Sequence, residues 1–116
     1  STLSVLGQDI PAFHYMIAVA GGDSIRCAPY AMFGTKDLSD NILKAIQDRK
    51  ACLLSNHGLV AVGKDLNEAF NIAEEVEHLS RLFVEAKKIG EPLLLSDRQM
   101  VEVLDRFNSY SRWVKD

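Results

Sequence analysis

Two short apolar runs, Ala51-Cys52-Leu53-Leu54 and Leu59-Val60-Ala61-Val62, stand on either side of Ser55-Asn56-His57-Gly58. Runs this short, apolar at successive positions and bounded by turn formers, predict buried strands joined by a tight connection. Gly58 gives the backbone freedom to turn directly after the histidine, and Gly63 closes the second run. Buried strands of this kind constrain the chain to a layered arrangement in which helices cover a small sheet. The same segment carries the most informative side chain. An imidazole at a strand end can be a metal ligand or a proton carrier, or simply a satisfied turn residue. Alone, it cannot build a metal site.

The rest of the chain supplies the covering helices. Ile10 to Ala20 predicts a helix with Asp9 as N-cap and Pro11 in the first turn, stopped by Gly21-Gly22. Ser24 to Ala28 predicts a short strand ending at Pro29. Thr35 to Asp37 offer N-caps for a helix through Leu38, Ile42, Leu43 and Ile46, which are apolar at helical spacing. The longest helix is capped near Asp65 and runs to about Ile89, before Gly90 and Pro92. Its expected stripe is Leu66, Ala69, Phe70, Ala73, Val76, Leu79 or Ser80, and Phe83. The acids Glu74, Glu75 and Glu77 mostly face outward. Ser96-Asp97 cap a last helix through Met100, Val103, Leu104 and Phe107, followed by a tail, Asn108 to Asp116, that carries Tyr110 and Trp113.

Three or so strands make a thin sheet, one expected to continue in residues outside this chain. Ser1 to Gly7, with no initiator Met, reads as the end of an element begun upstream. At 116 residues the chain is one modest domain or a piece of a larger one, with no repeat or linker to divide it. With 13 Lys and Arg against 16 Asp and Glu, its basic residues are scattered, which argues against a nucleic-acid surface. No apolar run approaches the roughly 18 residues of a membrane span, and the expectation is of no signal peptide. Cys27 and Cys52 share no metal-ligand spacing and fall in strand-like apolar segments. Reduced, structural thiols are expected, as in the cytoplasm.

Three stretches, taken together, identify a family. They are Ile10-Pro11-Ala12-Phe13-His14-Tyr15-Met16-Ile17-Ala18, Cys27-Ala28-Pro29-Tyr30-Ala31-Met32-Phe33-Gly34-Thr35 and Leu54-Ser55-Asn56-His57-Gly58-Leu59. In order and spacing they resemble the C-terminal half of the zinc-dependent class II aldolases of the aldolase/adducin superfamily. Leu95-Ser96-Asp97 and Tyr110 extend the likeness along the chain. The resemblance implies a three-layer α/β/α domain, of which residues 1–116 form the C-terminal part. It implies a carbon–carbon lyase that cleaves a deoxyketose 1-phosphate, of the L-fuculose 1-phosphate kind, to dihydroxyacetone phosphate and an aldehyde.

The family holds zinc (Zn2+) with three histidines, the last in an Asn-His-Gly or His-His-Gly turn, and His57 matches that one. The other two, a His-x-His pair, would lie just before Ser1. The carboxylate acid/base would lie further upstream still, and the phosphate cradle would lie upstream too. A tyrosine from a neighbouring subunit handles the proton at the C4 oxygen, and Tyr15 matches it. A second tyrosine presented across the interface matches Tyr110. The resemblance therefore implies a homo-oligomer, typically a cyclic tetramer, with sites between subunits. For this chain alone the expectation is neither tight zinc binding nor turnover, because one histidine leaves two ligand positions empty.

Taken without the resemblance, the residues point less sharply. An aromatic beside Phe13 and Met16 is ordinarily core. His14 would point about 100° away from Tyr15 around a helix and carries no catalytic expectation. His78 sits exposed among acids. The scattered lysines offer no Schiff-base candidate. The same superfamily scaffold also serves ribulose-phosphate 4-epimerases and related sugar-phosphate lyases, and a non-catalytic interaction domain like the adducin head.

Overall fold

The computed structural model describes residues 2–113, and side chains for residues 2–109. At its centre lies β2 (Ala51–Leu54), buried at all four positions. It pairs antiparallel with β3 (Gly58–Ala61) in the register Ala51↔Ala61 to Leu54↔Gly58. On its other side β1 (Cys27–Ala28) pairs parallel, Cys27 with Leu53. The sheet order among the described residues is β1-β2-β3. A parallel neighbour requires a crossover, and α2 (Lys36–Ala45) provides it.

Alternation along β2 separates two cores. Ala51 and Leu53 join Ile17, Val76, Leu79 and Phe83 on one face. Cys52 and Leu54 join Ala28 and Ala45 on the other, with Ile42 and Ile46 of α2 against them. The larger face is covered by α1 (Thr2–Val5), a 3-10 helix (Tyr15–Ala20), α3 (Leu66–Ile89) and α4 (Asp97–Trp113). The three layers are thus α2, the sheet, and a helical layer led by α3. This is the α/β/α arrangement expected above.

Local chemistry sets most boundaries. Thr35 caps α2 by accepting from Leu38 N–H at 3.3 Å, and Asp65 caps α3 by accepting from Glu68 N–H at 2.8 Å. Ser96 and Gln99 form a reciprocal capping box at the start of α4. α4 then runs on through the expected tail to Trp113, since no Gly or Pro follows Ser96. The stripe of α3 is also shifted. Leu66 and Phe70 are exposed, and Ile72 is buried with Val76, Leu79, Ser80 and Phe83. The fully buried positions of α3 thus begin only at Ile72, in its second turn.

The largest departure is Ile10 to Ala20. Only Tyr15–Ala20 is helical, and as a 3-10 helix. Ile10 precedes a proline, which disfavours helical backbone there, and it exchanges two backbone hydrogen bonds with Ile25 instead. Asp9 is no N-cap; its carboxylate accepts from Cys27 N–H at 2.7 Å. The expected strand from Ser24 is correspondingly short, with only Cys27–Ala28 laddered and Ile25 in an isolated bridge. The helical stop at Gly21 holds. Gly21 has φ 93°, and a side chain there would press on the backbone of Arg49 and Lys50 at 3.2–3.3 Å.

Both cysteines are free. They sit on adjacent strands but pack into different cores, so their side chains point to opposite faces of the sheet. Burial, and secondarily the neighbouring Cys27, pushes the Cys52 thiol up to about 11. It is an inert core thiol, as expected. No helix among the described residues is long and apolar enough to cross a membrane.

Candidate functional site

His57 lies in a three-residue connection, Ser55-Asn56-His57, that reverses β2 into β3. Its shape comes from backbone bonds. Ser55 N–H donates to Ala28 O at 3.0 Å, Asn56 N–H to Ser4 O at 2.8 Å, and His57 N–H to Leu54 O at 3.0 Å. Asn56 takes the left-handed conformation, φ 58°, which asparagine tolerates better than most residues. Gly58 already belongs to β3, opposite Leu54. The His57 side chain is exposed at the end of the sheet. Among the described residues no group hydrogen-bonds its ring, so both nitrogens are available to an external partner. Beneath it, Cys27 Sγ and Ser55 Oγ lie 3.4 Å apart and tie β1 to the turn.

Tyr15 opens the 3-10 helix and is 54 % exposed. It lines a groove of about 430 Å³ against α4, with Leu95, Gln99, Glu102, Arg106 and Phe107. The residue before it, His14, is the N-cap: extended backbone, and a ring Nδ1 that accepts from Met16 N–H at 3.1 Å. The His14 ring also stacks on that of Tyr15, centroids 4.9 Å apart and planes 23° from parallel. Behind it Phe13 packs edge-on against the buried Phe83 at 5.1 Å. The sequence reading allowed His14 a packing or interface role but no catalytic one, because a helix through residue 14 would send the two rings apart. The signal missed was the break at Ile10-Pro11, which leaves His14 extended and free to cap.

Among the described residues no hydrogen bond or ring contact joins Tyr15 to His57. Tyr110 lies within α4, but its side chain is outside the described residues. His78 is exposed on α3, as expected. A larger cleft of about 770 Å³ is lined by Lys50, Lys64, Asn67, Glu68 and Asn71 at the start of α3, and holds neither candidate. Among the described residues no group of three or more His, Cys, Asp or Glu is placed to hold a metal ion. These residues do not by themselves fit a metal centre.

The fold is a small sheet covered by helices on both faces. This chain belongs to the class II aldolase and adducin family. Residues 1–84 match the family described as "Class II Aldolase and Adducin N-terminal domain". The chain is 44% identical over 117 aligned residues to L-fuculose phosphate aldolase of Escherichia coli K12, covering 100% of this chain and 54% of that protein. It is 46% identical over 110 residues to a 5-methylthioribulose-1-phosphate/5-deoxyribulose-1-phosphate aldolase of Rhodospirillum rubrum, covering 95% of this chain and 50% of that protein. A solved structure of L-fuculose 1-phosphate aldolase superposes with a TM-score of 0.89 at 46% identity, over 92% of this chain and 50% of that one. The chain thus spans about half the length of the relatives it matches.

Proposed function

We propose that the protein to which this chain belongs is a metal-dependent class II aldolase acting on a deoxyketose 1-phosphate. On this reading it releases dihydroxyacetone phosphate and an aldehyde. Identity of 44% along the whole chain to an L-fuculose phosphate aldolase, with the fold kept throughout, carries the reading. The names of the two curated relatives favour an aldolase over an epimerase or a non-catalytic scaffold. They also frame the substrate: L-fuculose 1-phosphate on one side, a 5-deoxypentulose 1-phosphate on the other.

Within it, residues 1–116 form the C-terminal part of a single domain. His57 contributes one neutral imidazole to a zinc site whose other ligands come from the remaining half. When bound, such an ion stabilises negative charge left on the substrate oxygens as the carbon–carbon bond breaks. Tyr15 supports this by its exposure: a phenol presented at a helix start can hold and return the proton of the substrate hydroxyl next to the breaking bond. Tyr110 is proposed as a second phenol at the same site. Tyr15 faces a groove with no acid/base partner from the His57 turn, which supports a site shared between subunits of a homo-oligomer, a tetramer. A cytoplasmic setting is part of the same proposal.

The test is release of dihydroxyacetone phosphate by the whole protein, followed by NADH consumption in a coupled assay. L-fuculose 1-phosphate and 5-deoxyribulose 1-phosphate are compared. Turnover of either supports the reading, and their ratio of kcat/KM assigns the substrate. No release from any deoxyketose 1-phosphate sinks it.

A further inference from the structure

A half-exposed tyrosine is a poor instrument unless something holds its ring. An exposed side chain ordinarily exchanges between rotamers, and a displaced acid/base group loses much of its effect. Tyr15 has no hydrogen bond to its phenol among the described residues, so hydrogen bonding does not fix it. What touches the ring face is the imidazole of His14, 4.9 Å away and 23° from parallel.

That imidazole is itself held twice. Its Nδ1 lies 3.1 Å from Met16 N, a backbone group that can only donate, so Nδ1 is the acceptor and carries no proton. The bond satisfies one of the donors that a helix start leaves open, and fixes His14 in its extended conformation, φ −153° and ψ 144°. The ring also lies near that of Phe13, centroids 6.2 Å apart and planes tilted by 60°, and Phe13 is packed against Phe83, which is 4 % exposed. Four aromatic rings thus run from the core to the surface and end at the phenol.

We propose that His14 is the positioning residue for Tyr15: its neutral Nδ1 sets the backbone at the helix start, and its ring face sets the phenol. This rests on the reading of Tyr15 as an acid/base group of the aldolase. His14 touches no substrate on this account. Its effect passes through Tyr15, and it belongs to the rate of the chemical step rather than to substrate affinity.

Asparagine is a suitable replacement, because its side-chain oxygen can still cap Met16 N–H while the stacking face is lost. In the whole protein, His14→Asn is expected to lower kcat for dihydroxyacetone phosphate release by about tenfold. KM should move by less than about twofold, and thermal unfolding should stay close to the parent's. In a Tyr15→Phe background the same substitution should cost nothing further, because the group it positions is gone. Unchanged kcat in His14→Asn, or losses that multiply in the double variant, overturns the proposal while leaving Tyr15 catalytic. If Tyr15→Phe retains full kcat, the reading of Tyr15 fails instead. The positioning contact is then judged directly by NMR. Upfield-shifted Tyr15 ring protons that relax in His14→Asn sustain it, and unshifted ones overturn it.

Discussion

The turn that carries His57 and the segment that carries Tyr15 are built on different principles. Three backbone hydrogen bonds and a left-handed asparagine hold the first, and none of them depends on what the His57 ring does. The second adds side chains to its backbone bonds: the His14 cap, the stacked rings and the edge-on Phe13–Phe83 pair. Two backbone bonds tie its ends to distant segments, Leu95 N–H to Ala12 O and Lys50 N–H to Ala20 O. A turn closed by its own backbone leaves its side chain free to be spent on an external ligand. A helix closed by side chains commits those side chains to structure, and passes any change in them to the residue it presents.

Phe83→Ala separates the two most strongly. It removes a buried ring and should destabilise the protein by about 3–5 kcal/mol in denaturant titrations. Because Phe13 loses its support, amide exchange should rise more at residues 13–18 than at 54–58. Equal loosening of both segments would break the distinction. A smaller and opposite asymmetry is expected at the turn. Asn56→Ala should cost about 1–2 kcal/mol, because a Cβ without a compensating polar group is strained at φ 58°. Asn56→Gly should be close to neutral. Neither should disturb the Tyr15 ring.

A further effect, confined to alkaline pH, concerns the sheet beneath both. The folded Cys52 thiol titrates at about 11, above its ordinary value of 9.0. Between those values the unfolded chain has lost a proton that the folded chain keeps. Stability should therefore be intact below pH 9 and fall as pH rises towards 11. Cys52→Ala should flatten that part of the denaturant-midpoint profile, and an unchanged slope would show that other groups control it.

How far these segments were legible in the sequence follows the same division. Ala51 to Leu54 was read correctly as a buried strand leading into a tight turn, since a short apolar run with turn formers at its ends leaves little alternative; the second run pairs as expected, but β3 is only half-buried and Val62 lies exposed beyond it. Thr35, Asp65 and Ser96 were legible as caps, because a hydroxyl or carboxylate serves donors only two or three residues away. Ile10 to Ala20 was not legible as built. Its apolar residues suit a helix as well as an irregular buried segment, and Ile25, the partner that resolves the choice, is 15 positions along the chain from Ile10. The α3 stripe failed for a related reason: periodicity names a face, but not where along the helix its partner begins.

By itself, the sequence determined that this is an α/β chain of the class II aldolase and adducin family. It also placed an exposed histidine at a strand turn, because local backbone chemistry specifies such a turn. Only the tertiary structure decided that β2 divides two cores and that the cysteines face apart. It also decided that His14, a packing or interface histidine by sequence, caps a helix and bears on Tyr15. Those facts depend on which distant segments meet, and burial of apolar faces over the whole fold sets that, not the preferences of neighbouring residues.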